Sequence, residues 1–118
     1  MKCTKSMKLN KDFKRMYYRG KSAVTGNVVV YTGKNRMKYN RIGITCGKTI
    51  GKAVKRNRVK RLIKESYRLI EKRLCLGNDI VIVARTRAVS SKFKYVMNDL
   101  EKAFGKLGLF NENEKNSD

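Results

Sequence analysis

Residues 41 to 85 read RIGITCGKTIGKAVKRNRVKRLIKESYRLIEKRLCLGNDIVIVAR, and three periodicities in this stretch decide the fold. Ile42, Ile44 and Cys46 alternate with Arg41, Gly43 and Thr45, which predicts a strand over 41–46. From Gly51 or Lys52 to Leu74 the pattern is helical. Val59, Leu62, Ile63, Tyr67, Ile70 and Leu74 share one side, while Asn57, Lys60, Arg61, Lys64 and Arg68 fall within an arc of about 100° on another. Gly77 ends the helix and forms a turn with Asn78 and Asp79. Ile80 to Arg85 is then a continuous apolar run, the signature of a central strand covered on both faces. Strand, long helix and buried strand together imply a crossover within one sheet, right-handed by the general rule.

The flanks complete an α+β sandwich. Asn10 is placed to cap a first helix ending near Gly20, with Leu9, Phe13 and Met16 or Tyr17 on one face. Asn27 to Thr32 carries the β-branched run VVVY of a strand, and Gly33 to Asn40 is a basic loop. Beyond Arg85, Ser90 or Ser91 is the expected cap of a third helix that sets Phe93, Val96, Met97, Leu100, Phe104 and Leu107 on one side. The order is helix, strands, helix, strand, helix: a small sheet covered by helices. With 118 residues and 41% hydrophobic content, the chain suits one domain over 1–110 and a flexible polar tail over 111–118.

Charge narrows the function. The formal net charge is +21, and residues 1–64 hold 20 Lys or Arg against one acid, Asp12. Such a segment repels itself unless an anionic partner neutralises it, and nucleic acid is the leading candidate. The stretch Lys48 to Arg68 alone packs nine cations into a helix. A merely solvated helix of that length would be laced with i,i+4 Glu–Lys pairs; here Glu65 is the one acid, read as an ordinary surface partner of Arg61. Asn57 adds an amide able to meet a base edge or a phosphate.

Several classes are disfavoured. No apolar run approaches the roughly 20 residues of a membrane span, and the N-terminus lacks the apolar core of a secretory signal, so a cytoplasmic protein is expected. An anionic-membrane binder using the basic helix stays as an alternative, as does a structural or ribosomal RNA-binding protein. Three widely spaced cysteines, Cys3, Cys46 and Cys75, suggest neither disulfides nor a zinc knuckle; Cys46 and Cys75 read as small buried hydrophobes. The chain has no His and no carboxylate pair placed for acid–base or metal chemistry. GKT at 47–49 is not a phosphate loop, because the required first glycine falls on Ile42. Aromatic residues among the cations offer stacking surfaces for unpaired bases. Phe13 suits either the core or a base, Tyr17 and Tyr31 lean towards RNA contact, and Tyr18 and Tyr39 towards an ordinary surface.

KTIGKAVKRNRVKRLIK at 48–64, with Arg56-Asn57-Arg58 as an RNR motif followed by Lys60 and Arg61, closely resembles the protein subunit of bacterial ribonuclease P. The likeness extends to LNKDFKRMYYRGK at 9–21, NVVVYT at 27–32, RIGIT at 41–45 and DIVIVAR at 79–85, nearly the whole chain except the tail. It implies a ribosomal-protein-like fold of about four strands and three helices, with a left-handed crossover in place of the usual hand. It further implies one protein per catalytic RNA, an endonuclease activity residing in that RNA with its bound Mg²⁺, and removal of the 5′ leader from precursor tRNA. No organic cofactor is implied. By the resemblance, Arg56, Asn57, Arg58, Lys60, Arg61 and Lys64 meet the catalytic RNA, and Lys48 and Arg68 of the same basic stretch are read as joining them. Phe13, Tyr17 and Tyr31 match the aromatic positions of a cleft between sheet and helix that holds the leader.

Overall fold

A computed structural model describes residues 4–6 and 20–111, with backbone alone for 4–6 and Lys48. Five strands form one mixed sheet: β1 (Thr4–Ser6), β2 (Lys21–Val24), β3 (Val28–Lys34), β4 (Asn40–Thr45) and β5 (Asn78–Ala84), in the order β1-β4-β5-β3-β2. Four of these make the substantial sheet, and β1 adds three residues parallel to β4 at its edge. Two α-helices are described, α1 (Ala53–Ile70) and α2 (Phe93–Lys106). The expected helix over 10–20 lies outside the described residues but for Gly20.

The apolar run of the last strand has the predicted cause. β5 pairs parallel with β4 and antiparallel with β3. Ile80, Val81 and Ile82 are all fully buried, so both faces are covered. β3 alternates instead: Val28, Val30 and Thr32 are buried, while Val29 and Tyr31 are half-buried on the other face. β4, α1 and β5 form the expected crossover between parallel neighbours.

One face of the sheet carries both helices. Val28, Val30, Ile42, Ile80 and Ile82 pack with Val59, Ile63, Tyr67 and Ile70 of α1 and with Val96, Leu100, Ala103 and Phe104 of α2. The rings of Tyr67 and Phe104 meet edge to face at 6.2 Å, locking the helices together. Val81, Tyr31 and Val83 cluster on the opposite face.

Several boundaries differ from expectation for local reasons. β2 is an additional strand: it pairs with β3 through a turn in which Thr25 Oγ1 donates to the Val28 carbonyl at 2.8 Å. α1 ends at Ile70, and Glu71–Arg73 continues as a 3₁₀ turn to Leu74. Asp79 belongs to β5 rather than to a turn. Ser90 and Ser91 do not cap α2. Thr86–Ser90 forms a 3₁₀ turn that Ser91 closes through its backbone, and Lys92 takes the N-cap position without a side-chain bond. Phe93 consequently sits exposed at the start of α2, off its buried face. At the other end Gly108 adopts φ +69°, and the Leu109 amide returns to the Phe104 carbonyl at 3.0 Å, so the glycine permits a left-handed helix stop. Asn111 then donates its amide to the Arg73 carbonyl at 2.7 Å, tying the end of the domain to the exit of α1.

Candidate nucleic-acid interface

α1 separates a buried side from an exposed cationic side largely as the sequence predicts, although Leu62 is only half-buried and Ser66 joins the buried side. Val59, Ile63, Ser66, Tyr67 and Ile70 are buried, and Asn57, Lys60, Arg61, Lys64 and Arg68 are all exposed. At 1.5 Å per residue the stripe from Asn57 to Arg68 extends over roughly 16 Å. Glu65 is exposed and forms no ion pair with Arg61, so the expected surface partnership is absent and that guanidinium is not neutralised from within the helix.

The start of the helix is electrostatically unusual. Lys48–Ile50 forms a 3₁₀ turn, Gly51 adopts φ +119°, and Lys52 occupies the N-cap with no side-chain bond and no acid in the first turn. Unsatisfied amide protons and the positive end of the helix dipole thus face Lys52 and Lys55. Each element repels the others. An anion placed there relieves all of them at once, which is the physical basis of phosphate binding at such ends.

The RNR motif fans out because successive helical residues point about 100° apart. Asn57 is exposed. Arg56 is half-buried and, with Lys60, lies close enough to Cys46 at the end of β4 for both charges to act on its thiol. Burial pushes that thiol above its ordinary pKa, and the two cations partly offset the rise. Cys46 and Cys75 are half-buried rather than fully buried. Arg58 turns towards the 3₁₀ turn before α2, where Nη1 donates to the Val89 carbonyl at 2.9 Å and Nη2 to the Ser91 carbonyl at 3.3 Å. The motif is therefore divided: Asn57 is presented outward, and Arg58 clamps one element to another.

Tyr31 occupies a different surface. It stands in the middle of β3, in register with Ser22 of β2 and Val81 of β5, and Val81 is in turn opposite Gly43 of β4. This row crosses the sheet face that α1 does not cover. A cleft containing Tyr31 is accordingly not walled by the apolar side of the RNR helix. Phe13 and Tyr17 lie outside the described residues, as does the side chain of Lys48.

The sequence reading missed one organising group. Arg41 grips Asp79 with both arms of its guanidinium, Nε to Oδ1 at 2.8 Å and Nη2 to Oδ2 at 2.6 Å, and Asn35 Nδ2 adds a bond to Oδ1 at 3.0 Å. Asn35 Oδ1 meanwhile accepts the Met37 amide at 2.7 Å. The basic loop with Arg36 and Lys38 is thus pinned to β5 by a carboxylate. An acid opening an apolar strand, in a chain so poor in acids, was the available signal. Among the described residues no three His, Cys, Asp or Glu side chains converge on a metal site. Both Asp79 oxygens are already bonded to protein groups.

Comparison with known proteins adds to this geometry. The ribonuclease P family model matches residues 1–108. A ribonuclease P protein component of Clostridioides difficile (strain 630) is 43% identical over 105 residues, covering 88% of this chain and 89% of its own length. The RNase P protein structure from Staphylococcus aureus superposes with a TM-score of 0.81 at 34% identity, over 90% of this chain and 97% of that one. The RNase P protein of Thermotoga maritima gives a TM-score of 0.75 at 31% identity, over 83% of this chain and 93% of that one.

Proposed function

The chain belongs to the ribonuclease P protein family, and we propose from this premise that it serves the ribonucleoprotein by placing RNA rather than by cutting it. It binds a catalytic RNA through the outer face of α1 and helps that RNA remove the 5′ leader from precursor tRNA. The observation that carries this reading is the electrostatics of α1: an acid-free stripe of Lys60, Arg61, Lys64 and Arg68 runs on from an uncapped, cation-crowded helix start. That arrangement is self-repulsive in the free protein and is stabilised by a phosphate backbone through counterion release.

The division of labour follows from what the side chains can do. With no His in 118 residues, the chain lacks the commonest general acid–base group, and the hydrolysis is assigned to the RNA and the Mg²⁺ that the RNA holds. Asn57, Lys60, Arg61, Lys64 and Arg68, with Lys48 and Arg56 near the helix start, neutralise and orient the RNA. Arg58 contributes chiefly by fixing α1 to the 3₁₀ turn. Tyr31, on the far face of the sheet, receives the single-stranded leader, with Phe13 and Tyr17 assigned to the same cleft. Two surfaces of one small domain therefore address two RNAs, in a complex of one protein per RNA. The same reading includes a helix over 10–20 and a left-handed β4–α1–β5 crossover. No described helix is long and apolar enough to cross a membrane, and the proposed work on precursor tRNA places the protein in the cytoplasm.

Precursor-tRNA cleavage at low Mg²⁺, with the cognate catalytic RNA alone and with protein added, tests the proposal. Stimulation that depends on Arg61 and Lys64 is expected. A protein that acts only as an RNA scaffold would instead bind precursor and mature tRNA complexes equally.

A further inference from the structure

A third surface lies apart from both RNA faces. Between the β2–β3 turn, the Thr86–Ser90 turn and the first half of α2 is a cavity of about 520 Å³, within the range of about 300–1,000 Å³ for small-ligand clefts. Asn27, Arg87 and Ser90 line one part of it, and Tyr95, Asn98 and Lys102 line the other from a single face of α2.

Its chemistry is mixed in an informative way. Arg87 and Lys102 bring two cations to a small polar space. Asp99 also lines the wall and keeps its negative charge, its Oδ2 accepting both the backbone amide and Nδ2 of Asn27 at 2.9 and 2.8 Å, so the cations of the cavity outnumber its acid by two to one. Arg87 lies tight against the turn: a Cβ on Gly26 would come within 3.0 Å of Nη1, so the glycine makes room for the guanidinium. Tyr95 presents a ring that is 53% exposed, with the Lys94 ammonium 6.0 Å from its centre. Asn27 itself is only 5% exposed, and its Oδ1 is buried with no donor.

We propose that this cavity receives one unpaired nucleotide of an RNA strand. The phosphate sits between Arg87 and Lys102, and the base stacks on Tyr95. The place is connected to the RNR helix, because Arg58 bonds the carbonyl of Ser91, a residue that also lines the cavity. An RNA lying along α1 can continue over the 3₁₀ turn into it. The inference rests on the RNA-binding reading above but concerns a separate surface.

The test uses the full-length protein with a single-stranded 10-nucleotide RNA carrying 4-thiouridine. Ultraviolet cross-links mapped by peptide mass spectrometry should include residues 86–102. Tyr95→Ala should remove those links, keep links near Tyr31, and weaken binding at least about five-fold. Lys102→Ala should flatten the salt dependence by roughly 0.7 in log–log slope, whereas Lys72→Ala, away from the cavity, should flatten it less. Tyr95→Phe should bind like the parent, which separates stacking from misfolding. No cross-link within 86–102, or Tyr95→Ala affinity within two-fold of the parent, overturns the proposal.

In the assembly with the cognate catalytic RNA, a Tyr95→Ala defect that grows with leader length assigns the nucleotide to the precursor. A defect already present in assembly without precursor assigns it to the catalytic RNA. Failure of the protein to promote cleavage, with the 86–102 cross-links intact, would refute the ribonuclease P role and leave the cavity standing.

Discussion

Arg58 Nη1 donates to the backbone carbonyl of Val89 at 2.9 Å, joining the RNR segment of α1 to the 3₁₀ turn that precedes α2. A second bond, from Nη2 to the Ser91 carbonyl, makes the contact two-pronged. Neighbouring positions of one basic motif thus have different work. Arg58→Ala should lower unfolding free energy by about 1 kcal/mol, the usual net value of such bonds, and Arg58→Lys should recover little because an ammonium lacks the fork. Arg61→Ala should leave stability within about 0.5 kcal/mol. Urea denaturation of the three variants checks the contrast.

RNA affinity should show the reverse ranking. Arg61→Ala and Lys64→Ala each remove an exposed cation from the outer stripe. Each lost phosphate contact should reduce the slope of log affinity against log salt by roughly 0.7 to 0.9. Titration of the catalytic RNA at several salt concentrations measures this directly.

Tyr31 belongs to the sheet face that α1 does not cover. Tyr31→Ala should therefore weaken binding of leader-bearing precursor by about 1 kcal/mol or more and leave assembly with the catalytic RNA nearly unchanged. Equal losses in the two assays would return Tyr31 to a packing role.

The Arg41–Asp79 pair is mostly buried, with side chains 20% and 9% exposed. Removing one partner strands the other, so Asp79→Ala should cost about 3 kcal/mol. Replacing both with apolar residues should cost less than the two single changes added together. Chemical denaturation in a double-mutant cycle distinguishes the outcomes.

Cys46 gives a pH signature. Its thiol pKa is raised in the fold, first by burial, against the lowering effects of Lys60 and Arg56. The folded state then disfavours the thiolate relative to the unfolded chain. This contribution to stability is fully present below the unfolded thiol pKa of about 8.5 and declines as pH rises through the higher folded value. Cys46→Val should remove that part of the alkaline decline, as read from urea midpoints between neutral and alkaline pH.

The parts of the fold legible in the sequence were those in which burial imposes a period. Val59, Ile63, Tyr67 and Ile70 announced the core side of α1, and Ile80 to Ile82 announced a strand covered on both faces. β2 gave no such signal, because of Lys21, Ser22, Ala23 and Val24 only Ala23 is buried. Its existence depends on pairing with β3, not on its own pattern. Ser90 and Ser91 looked like caps, but the chain tightens into a 3₁₀ turn there and starts α2 later. The cationic stripe of the site was legible from spacing alone. The diversion of Arg58 to Val89 and the Asp79 anchor were not, since both link positions more than 30 residues apart.

The most direct test of the central claim is the rate of precursor-tRNA leader removal by the cognate catalytic RNA at low Mg²⁺, with and without this protein. The protein alone should cut nothing, while its addition should raise the RNA-catalysed rate and lower the Mg²⁺ required. Equal rates with and without protein, or leader removal by the protein with no RNA present, would contradict the account.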